Sequence, residues 1–343
     1  MSRRRVLVTG GCGYVGSVVC SRLALNGFDV VALDNFSFSR KETSQWLLKT
    51  MPSIQVIESD ICDALAIRDV LSSTQFFAVV HLAAIKSMEQ SNTSLEKEMS
   101  ATNVNASHRL FKLASSLGVA RFVFASSAAV YGLTSRVPTM ENAPCKPNSE
   151  YGRQKLRAEA LLIDAGNEGL LKPAILRLFN VAGADTSVML GERTDLGRAG
   201  VIGRMLHAHS NKNRFTIYGT NYDTADGTAV RDYVHVLDVA SAVERAIVGI
   251  EQGANCGPVN IGSARGTSVR ELISAVERQV AGRLAVTIHD ARSCDVAWSV
   301  SNIATARTRL GWEPTRGLGE CLADAFAFYQ YSASNEPEIR SQW

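Results

Sequence analysis

The chain has 343 residues, 46% of them apolar and 20% charged, a balance that allows a sizeable buried core and argues against an intrinsically disordered chain. Thirty-six basic and 33 acidic side chains leave a net charge of +3, and no basic run is longer than Arg3-Arg4-Arg5, so nucleic-acid binding is not indicated. Only Val6-Leu7-Val8 separates those arginines from Gly10, too little for a signal peptide, and no apolar run approaches the roughly 18 residues of a membrane span.

Seven cysteines lie scattered, none in a C-x-x-C spacing, which reads as reduced thiols of a cytoplasmic protein. His207 and His209 are close, but no acid or cysteine joins them at ligand spacing, so no metal site is expected.

In chain order, short apolar runs at 6–8, 30–33, 54–57, 78–82, 122–125 and 174–178 alternate with longer amphipathic stretches, the pattern of βαβ units in a doubly wound parallel sheet. Helices are expected over 17–26, closed by Gly27, and over 95–117, closed by Gly118. From 183 to 200 and from 218 to 227 the sequence becomes Gly-rich and polar, which suits ligand loops better than core. A helix over 234–250 and a strand over 259–261 return to the α/β pattern. The chain is therefore divided into a Rossmann-like nucleotide domain, 1–180 with 232–262 returning to it, and a smaller α/β substrate lobe made of 181–231 and 263–343.

Gly10-Gly11-Cys12-Gly13-Tyr14-Val15-Gly16 lies between the first strand and the first helix, with glycines at 10, 13 and 16. Glycine permits close approach to a pyrophosphate, and the helix start offers unpaired N–H groups. The second strand ends at Asp34, roughly 20 residues on, where an acid accepts from an adenosine ribose and repels a 2′-phosphate. NAD is thus expected rather than NADP. Asp60, ending the third strand, reads either as an adenine contact or as a helix cap.

Tyr151 and Lys155 are four residues apart, hence on one face of a helix, with Pro147 and Ser149 marking its start. A tyrosine titrates near 10, so a catalytic role at neutral pH needs neighbouring positive charge, from the lysine and from a cationic nicotinamide. Upstream stand Ser126, Ser127 and Tyr131-Gly132.

Together, the glycine loop, the S-S-x-x-x-Y-G run and the Y-x-x-x-K pair resemble the extended short-chain dehydrogenases/reductases. Within that group the chain is most similar to the UDP-hexose 4-epimerases over nearly its whole length, from Val8 to about Trp312. Asp34-Asn35, His81-Leu82-Ala83-Ala84-Ile85-Lys86, Asn103-Val104-Asn105, Leu176-Arg177-Leu178-Phe179-Asn180 and the run Asp226-Gly227-Thr228-Ala229-Val230-Arg231-Asp232-Tyr233-Val234-His235-Val236 all match that family's motifs. Related dehydratases carry an Asp-Glu pair where this chain has Ala128 and Ala129, so elimination of water is not expected.

The resemblance implies a Ser127, Tyr151 and Lys155 catalytic triad. It implies NAD contacts from Gly10, Gly13, Tyr14, Val15, Gly16, Asp34, Asn35, Asp60, Ile61, Leu82, Ala83, Ala84, Lys86, Asn103, Tyr151, Lys155 and Leu178. For the UDP-sugar it implies Lys86, Ser127, Tyr151, Asn180, Val201, Thr216, Tyr218, Arg231, Arg292, Asp295 and Ser299. Arg231 and Arg292 would grip the diphosphate, Asp295 the uridine ribose, and Tyr218 would stack near uracil; taken alone, Arg292 reads equally well as a surface ion pair. Ser299 stands at a gate where a bulky residue such as tyrosine shuts out N-acetyl groups, so N-acetylhexosamines are expected to enter. Gly200 stands near where the family usually has an asparagine. The resemblance further implies a homodimer paired through the two long helices, 95–117 and the one carrying Tyr151. Two other readings stay open: an epimerase of UDP-glucuronate or another specialised sugar nucleotide, and a non-catalytic NAD-binding regulator.

Overall fold

The computed structural model describes residues 4–86, 93–134, 137–168, 171–194, 199–252 and 256–335. Its strands are β1 (Arg5–Thr9), β2 (Asp29–Asp34), β3 (Ile54–Glu58), β4 (Ala78–His81), β5 (Arg121–Ser127), β6 (Lys172–Leu178), β7 (Asn180–Ala182), β8 (Ala184–Asp185), β9 (Leu190–Gly191), β10 (Phe215–Tyr218), β11 (Val230–His235), β12 (Cys256–Ile261), β13 (Gly266–Ser268), β14 (Val286–His289) and β15 (Trp298–Ser299). Its helices are α1 (Tyr14–Leu25), α2 (Lys41–Thr50), α3 (Ala64–Ser72), α4 (Thr93–Ser100), α5 (Ser107–Ser116), α6 (Glu150–Asn167), α7 (Val201–Ser210), α8 (Val236–Glu251), α9 (Val269–Gln279), α10 (Ala304–Leu310) and α11 (Leu318–Asn335).

Among the described residues, seven strands form one parallel sheet in the order β12-β6-β5-β4-β1-β2-β3. The β1 run Val6-Leu7-Val8 is fully buried because the sheet is covered on both faces. Val6 and Val8 point into a layer with Val18, Leu23, Val239, Val243 and Ile250 of α1 and α8. Leu7 points the other way, among Ile67, Leu110, Phe111, Ala158 and Leu162 of α3, α5 and α6. Burial of each such large side chain stabilises by about 1.5–3 kcal/mol, so the period-two alternation fixes both layers at once. The strand order reverses between β1 and β4, and in open parallel sheets the ligand crevice lies at the carboxyl ends of the strands at that switch.

The predicted helix over 95–117 is not continuous. A π-helical segment, Ala101–Ala106, separates α4 from α5. Asn103 and Ser107 both face the interior, where Ser107 Oγ donates to the Asn103 carbonyl (2.9 Å) and meets His81 Nε2 at 2.8 Å. The motif strand β11 lies outside the main sheet. It pairs with β7, β13 and β15 in a small sheet, so the chain re-enters the main fold through α8 and β12, and again through α10, whose Ala306 and Leu310 join the core of Val6 and Val8 together with Trp312. A separate core, including Ile202, Leu206, Phe215, Leu272, Val276 and Leu322, binds α7, β10, α9 and α11 together. No described helix is long and apolar enough to cross a membrane.

Candidate active site

A cleft of about 790 Å³ opens between the carboxyl ends of the main sheet and this second core. On one side β1 turns through Gly10, at φ +68°, to Gly13, which holds an extended conformation as the N-cap of α1. A Cβ on Gly16 would lie 1.9 Å from the Gly10 carbonyl oxygen, and one on Gly10 would lie 2.8 Å from the Ala83 nitrogen. The loop is thus pressed onto the helix and against the exit of β4, so that the start of α1 faces the cleft. Such a start presents N–H groups without helical partners, and its positive end suits a pyrophosphate. These residues fit a dinucleotide.

Asp34 accepts from the Cys12 N–H (3.0 Å), the Phe36 N–H (2.9 Å) and Ser39 Oγ (2.8 Å). Its carboxylate is therefore held beside the glycine loop. Asn35 donates to Asp60 (2.8 Å), which also accepts from the Cys62 N–H (2.7 Å). Against burial, which would raise it, these bonds hold the Asp60 carboxyl below the usual range. Asp60 is not a helix cap: Asp63 caps α3. Ile61 is buried behind the turn.

Leu82, Ala84 and Lys86 line the cleft, as do Tyr14, Val15 and Leu178. Tyr14 also donates its phenol to the Gly183 carbonyl (2.7 Å), tying α1 to the far wall. Ala83 donates its N–H to Thr9 Oγ1 (3.3 Å). Asn103 lies behind the wall rather than on it. Its amide pairs with both backbone groups of Ile85 (2.8 and 2.9 Å) and donates to Gln154 (2.9 Å), so it fixes the segment carrying Lys86 against α6.

Ser149 caps α6, accepting from the Gly152 N–H at 3.1 Å. A Cβ on Gly152 would lie 2.4 Å from the Ala129 carbonyl oxygen, so α6 packs directly on the turn after β5. That contact brings Ser127, Tyr151 and Lys155 to one stretch of the cleft wall. Strand alternation separates the two serines: Ser127 faces the cleft, whereas Ser126 is buried and donates to Glu159. Lys155 Nζ donates to the Ala125 carbonyl (2.8 Å) and lies 5.8 Å from the Tyr151 ring centre. Burial pushes this lysine down to about 7, with Glu159 pulling the other way. Burial also pushes the Tyr151 phenol up. The chain's own groups therefore do not make the phenol acidic, and a positive ring beside it would have to.

On the opposite wall, β11 carries Arg231 beside Ser299 of β15. Arg231 donates to the Val296 carbonyl (2.7 Å), and its guanidinium lies 3.8 Å from Asp295. Arg292 makes a two-point contact with Asp295 (2.8 and 3.0 Å) and lies over the Tyr218 ring, 4.5 Å from its centre. Asp295 thus holds both arginines, and Tyr218 supports Arg292 from below. Asn180, Val201 and Thr216 complete this wall.

The long motif around Arg231 is largely structural. Asp226 accepts from Thr228 and Ser268, closing the turn before β11. Asp232, fully buried, accepts from Ser263, Ala264 and Ser301. His235 caps α8 and meets Asp324 at 3.1 Å. Tyr233, two residues beyond Arg231, also lines the cleft. His81 is structural as well: it joins Thr9 (2.6 Å) to Ser107, and burial together with the charge of Lys155 pushes it down to about 3.

Sequence reasoning missed Glu192 and Arg204, both on the cleft wall. Glu192 lies in the Gly-rich stretch 183–200, whereas Arg204 lies in α7 beyond it, and neither residue stands out in the sequence. It also missed the buried pair of Glu159 and Arg177 (2.7 Å), which joins β6 to α6 directly beneath Ser126 and Tyr131.

The model of the NAD dependent epimerase/dehydratase family matches residues 6–262. A UDP-glucose 4-epimerase of Rhizobium meliloti is 34% identical over 333 residues, covering 96% of this chain and 98% of its own. One from Bacillus subtilis is 32% identical over 339 residues, covering 96% and 97%. Among solved structures, the UDP-glucose-4-epimerase of Stenotrophomonas maltophila with bound NAD and formylated UDP-arabinopyranose superposes with a TM-score of 0.92. It is 31% identical, over 97% of this chain and all of that one.

Proposed function

The chain belongs to the NAD-dependent epimerase/dehydratase family, and from that premise we propose that it inverts C4 of a UDP-hexose, interconverting UDP-glucose and UDP-galactose with NAD. One observation carries this reading. The Ser127, Tyr151 and Lys155 group shares a single cleft with the glycine cradle on one wall and with Arg231 and Arg292 on the other. Guanidinium forks match phosphate oxygens, so the cleft suits a nucleoside diphosphate whose sugar reaches Tyr151.

Bound NAD supplies the acceptor and later donor of the C4 hydride, and in its oxidised form a positive ring that draws the Tyr151 phenol down. Tyr151 then takes the proton of the 4-hydroxyl, and Ser127 Oγ holds that hydroxyl. Lys155, anchored on the Ala125 carbonyl, keeps positive charge near the phenolate. The 4-ketose turns within the pocket and receives its hydrogen on the opposite face, while Tyr151 returns the proton. Asp295 keeps the two arginines in place for the diphosphate, so the nucleotide stays fixed through the turn.

The small Ser299 beside Arg231 favours admission of N-acetylhexosamines in addition. The family resemblance supports a cytoplasmic homodimer paired through α4–α5 and α6. The test is to incubate the protein with a panel of UDP-hexoses, without added NAD, and to detect C4 epimers. Tyr151→Phe should lower turnover by about a hundredfold or more while UDP still binds by calorimetry. Turnover by that variant at the wild-type rate would overturn the role of Tyr151.

A further inference from the structure

Arg204 is a cleft cation that the chemistry above leaves without a task. It stands on α7, four residues after the N-cap Gly200, and lines the same cleft as Lys86 and Arg231. Its side chain is exposed, and among the described residues its guanidinium has no hydrogen-bond or ion-pair partner. Arg231 and Arg292, by contrast, are both tied to Asp295.

Helix geometry directs this side chain. Residues four apart share a face, and helical side chains lean toward the N-terminus. A long side chain at 204 therefore leans along α7 toward its first turn, where Gly200 presents no side chain of its own. Glu192, an acid on the same cleft wall, is already engaged. It accepts the Gly200 N–H at 2.8 Å, and a Cβ on Gly200 would lie 3.2 Å from both its carboxylate oxygens.

The electrostatic neighbours place the guanidinium. Lys86 and Glu192 both interact with Arg204, and Tyr233 interacts with Arg204 and with Arg231. Arg204 thus stands on the cleft wall within electrostatic reach of Lys86 and of Tyr233, the neighbour it shares with Arg231. Lys86 and Arg204 share one acid, Glu192, that is already engaged, which leaves an excess positive potential that an anion in the cleft would satisfy.

We infer that Arg204 binds an oxyanion of the substrate, at the end of the diphosphate nearest the sugar. The inference rests on the reading of the cleft as a UDP-sugar site. A carboxylate at C6 of a hexuronate would offer the same chemistry from another source, and the experiment separates the two.

NAD-loaded wild type, Arg204→Ala and Arg204→Lys are titrated calorimetrically with UDP and with UMP, which lacks the second phosphate. Initial rates are then measured on UDP-glucose and UDP-glucuronate. Because Arg204 is exposed, circular dichroism and NAD content should match wild type in both variants. Arg204→Ala should weaken UDP by about tenfold or more and leave UMP unchanged, and Arg204→Lys should fall between. A loss confined to the KM for UDP-glucuronate would support the oxyanion site and assign it to the sugar carboxylate. Wild-type affinities and rates on every ligand would overturn the inference. A wild type that turns over no UDP-hexose, with UDP still weakened by Arg204→Ala, would instead sink the function and leave the anion site standing.

Discussion

Replacing Lys155 by methionine should stabilise the dinucleotide-free protein at neutral pH while destroying its chemistry. Burial carries the ammonium from 10.5 to about 7. In the unfolded chain it keeps its proton to about 10.4. Between those values the unfolded state binds more protons than the folded state, so stability rises with pH across the window from 7 to 10.5. Over the whole interval the effect is about 5 kcal/mol, of which about 3 kcal/mol falls between pH 6.5 and 9.5. Methionine does not titrate, and it loses the 2.8 Å hydrogen bond to the Ala125 carbonyl and the ammonium's seat 4.7 Å over the Phe124 ring, about 1–3 kcal/mol in all at either pH. The variant should therefore be more stable than wild type by about 2–4 kcal/mol at pH 6.5, with about 3 kcal/mol of that difference gone at pH 9.5. Urea unfolding at both pH values, followed by fluorescence and far-ultraviolet circular dichroism together, measures it. An equal difference at the two pH values would refute the claim that burial holds this lysine near neutrality.

Gly16→Ala should abolish NAD retention, since its Cβ would meet the Gly10 carbonyl oxygen at 1.9 Å; an NAD absorbance equal to wild type in the purified variant would refute this. Asp232→Asn turns an amide nitrogen toward donors on Ser263, Ala264 and Ser301 and should cost about 3 kcal/mol or more. An unchanged unfolding midpoint with lost UDP affinity would mean that Asp232 acts on ligand instead. Ser299→Tyr should suppress turnover of UDP-N-acetylglucosamine while sparing UDP-glucose, and equal losses on both would remove the gate assignment.

The main sheet was legible because its strands are buried on both faces, so that Val6-Leu7-Val8 reads as an unbroken apolar run whichever layer each residue enters. The glycine loop was legible for a similar reason: a Cβ at 10 or 16 has nowhere to go. Less could be read where distant contacts decide. The π-helical segment depends on Asn103 reaching Ile85 and Gln154, partners invisible in a helical pattern. The strand β11 exists because β7, β13 and β15 come to it from other parts of the chain. Its motif matched the family as a block with Arg231 alone assigned to ligand, and Asp226, Asp232 and His235 build the frame that aims Arg231. Glu192 and Arg204 carried no local signal, since only the docking of α7 on the cleft turns a surface-like charge into a wall.

The distribution of polar groups in the cleft follows from what the proposed reaction demands. A sugar that must show either face to one nicotinamide has to let go of whatever holds it each time it turns, and each hydrogen bond to a hydroxyl adds about 0.5–1.5 kcal/mol to that step. Beside Tyr151 and Ser127 the cleft is lined by Ala128, Ala129 and Phe179, and the polar Asn148 and Ser149 are engaged with the Cys294 carbonyl and the Gly152 N–H, so few such bonds are on offer. The nucleotide has the opposite requirement, because its release in mid-turn would free a ketose. Arg231 and Arg292 meet it with charge, and Asp295 keeps both guanidinium groups from swinging with the ligand. Anchoring by charge at one end and spareness at the other are thus two halves of one condition, and polar side chains added near Ala128 would slow the turn before they weakened binding.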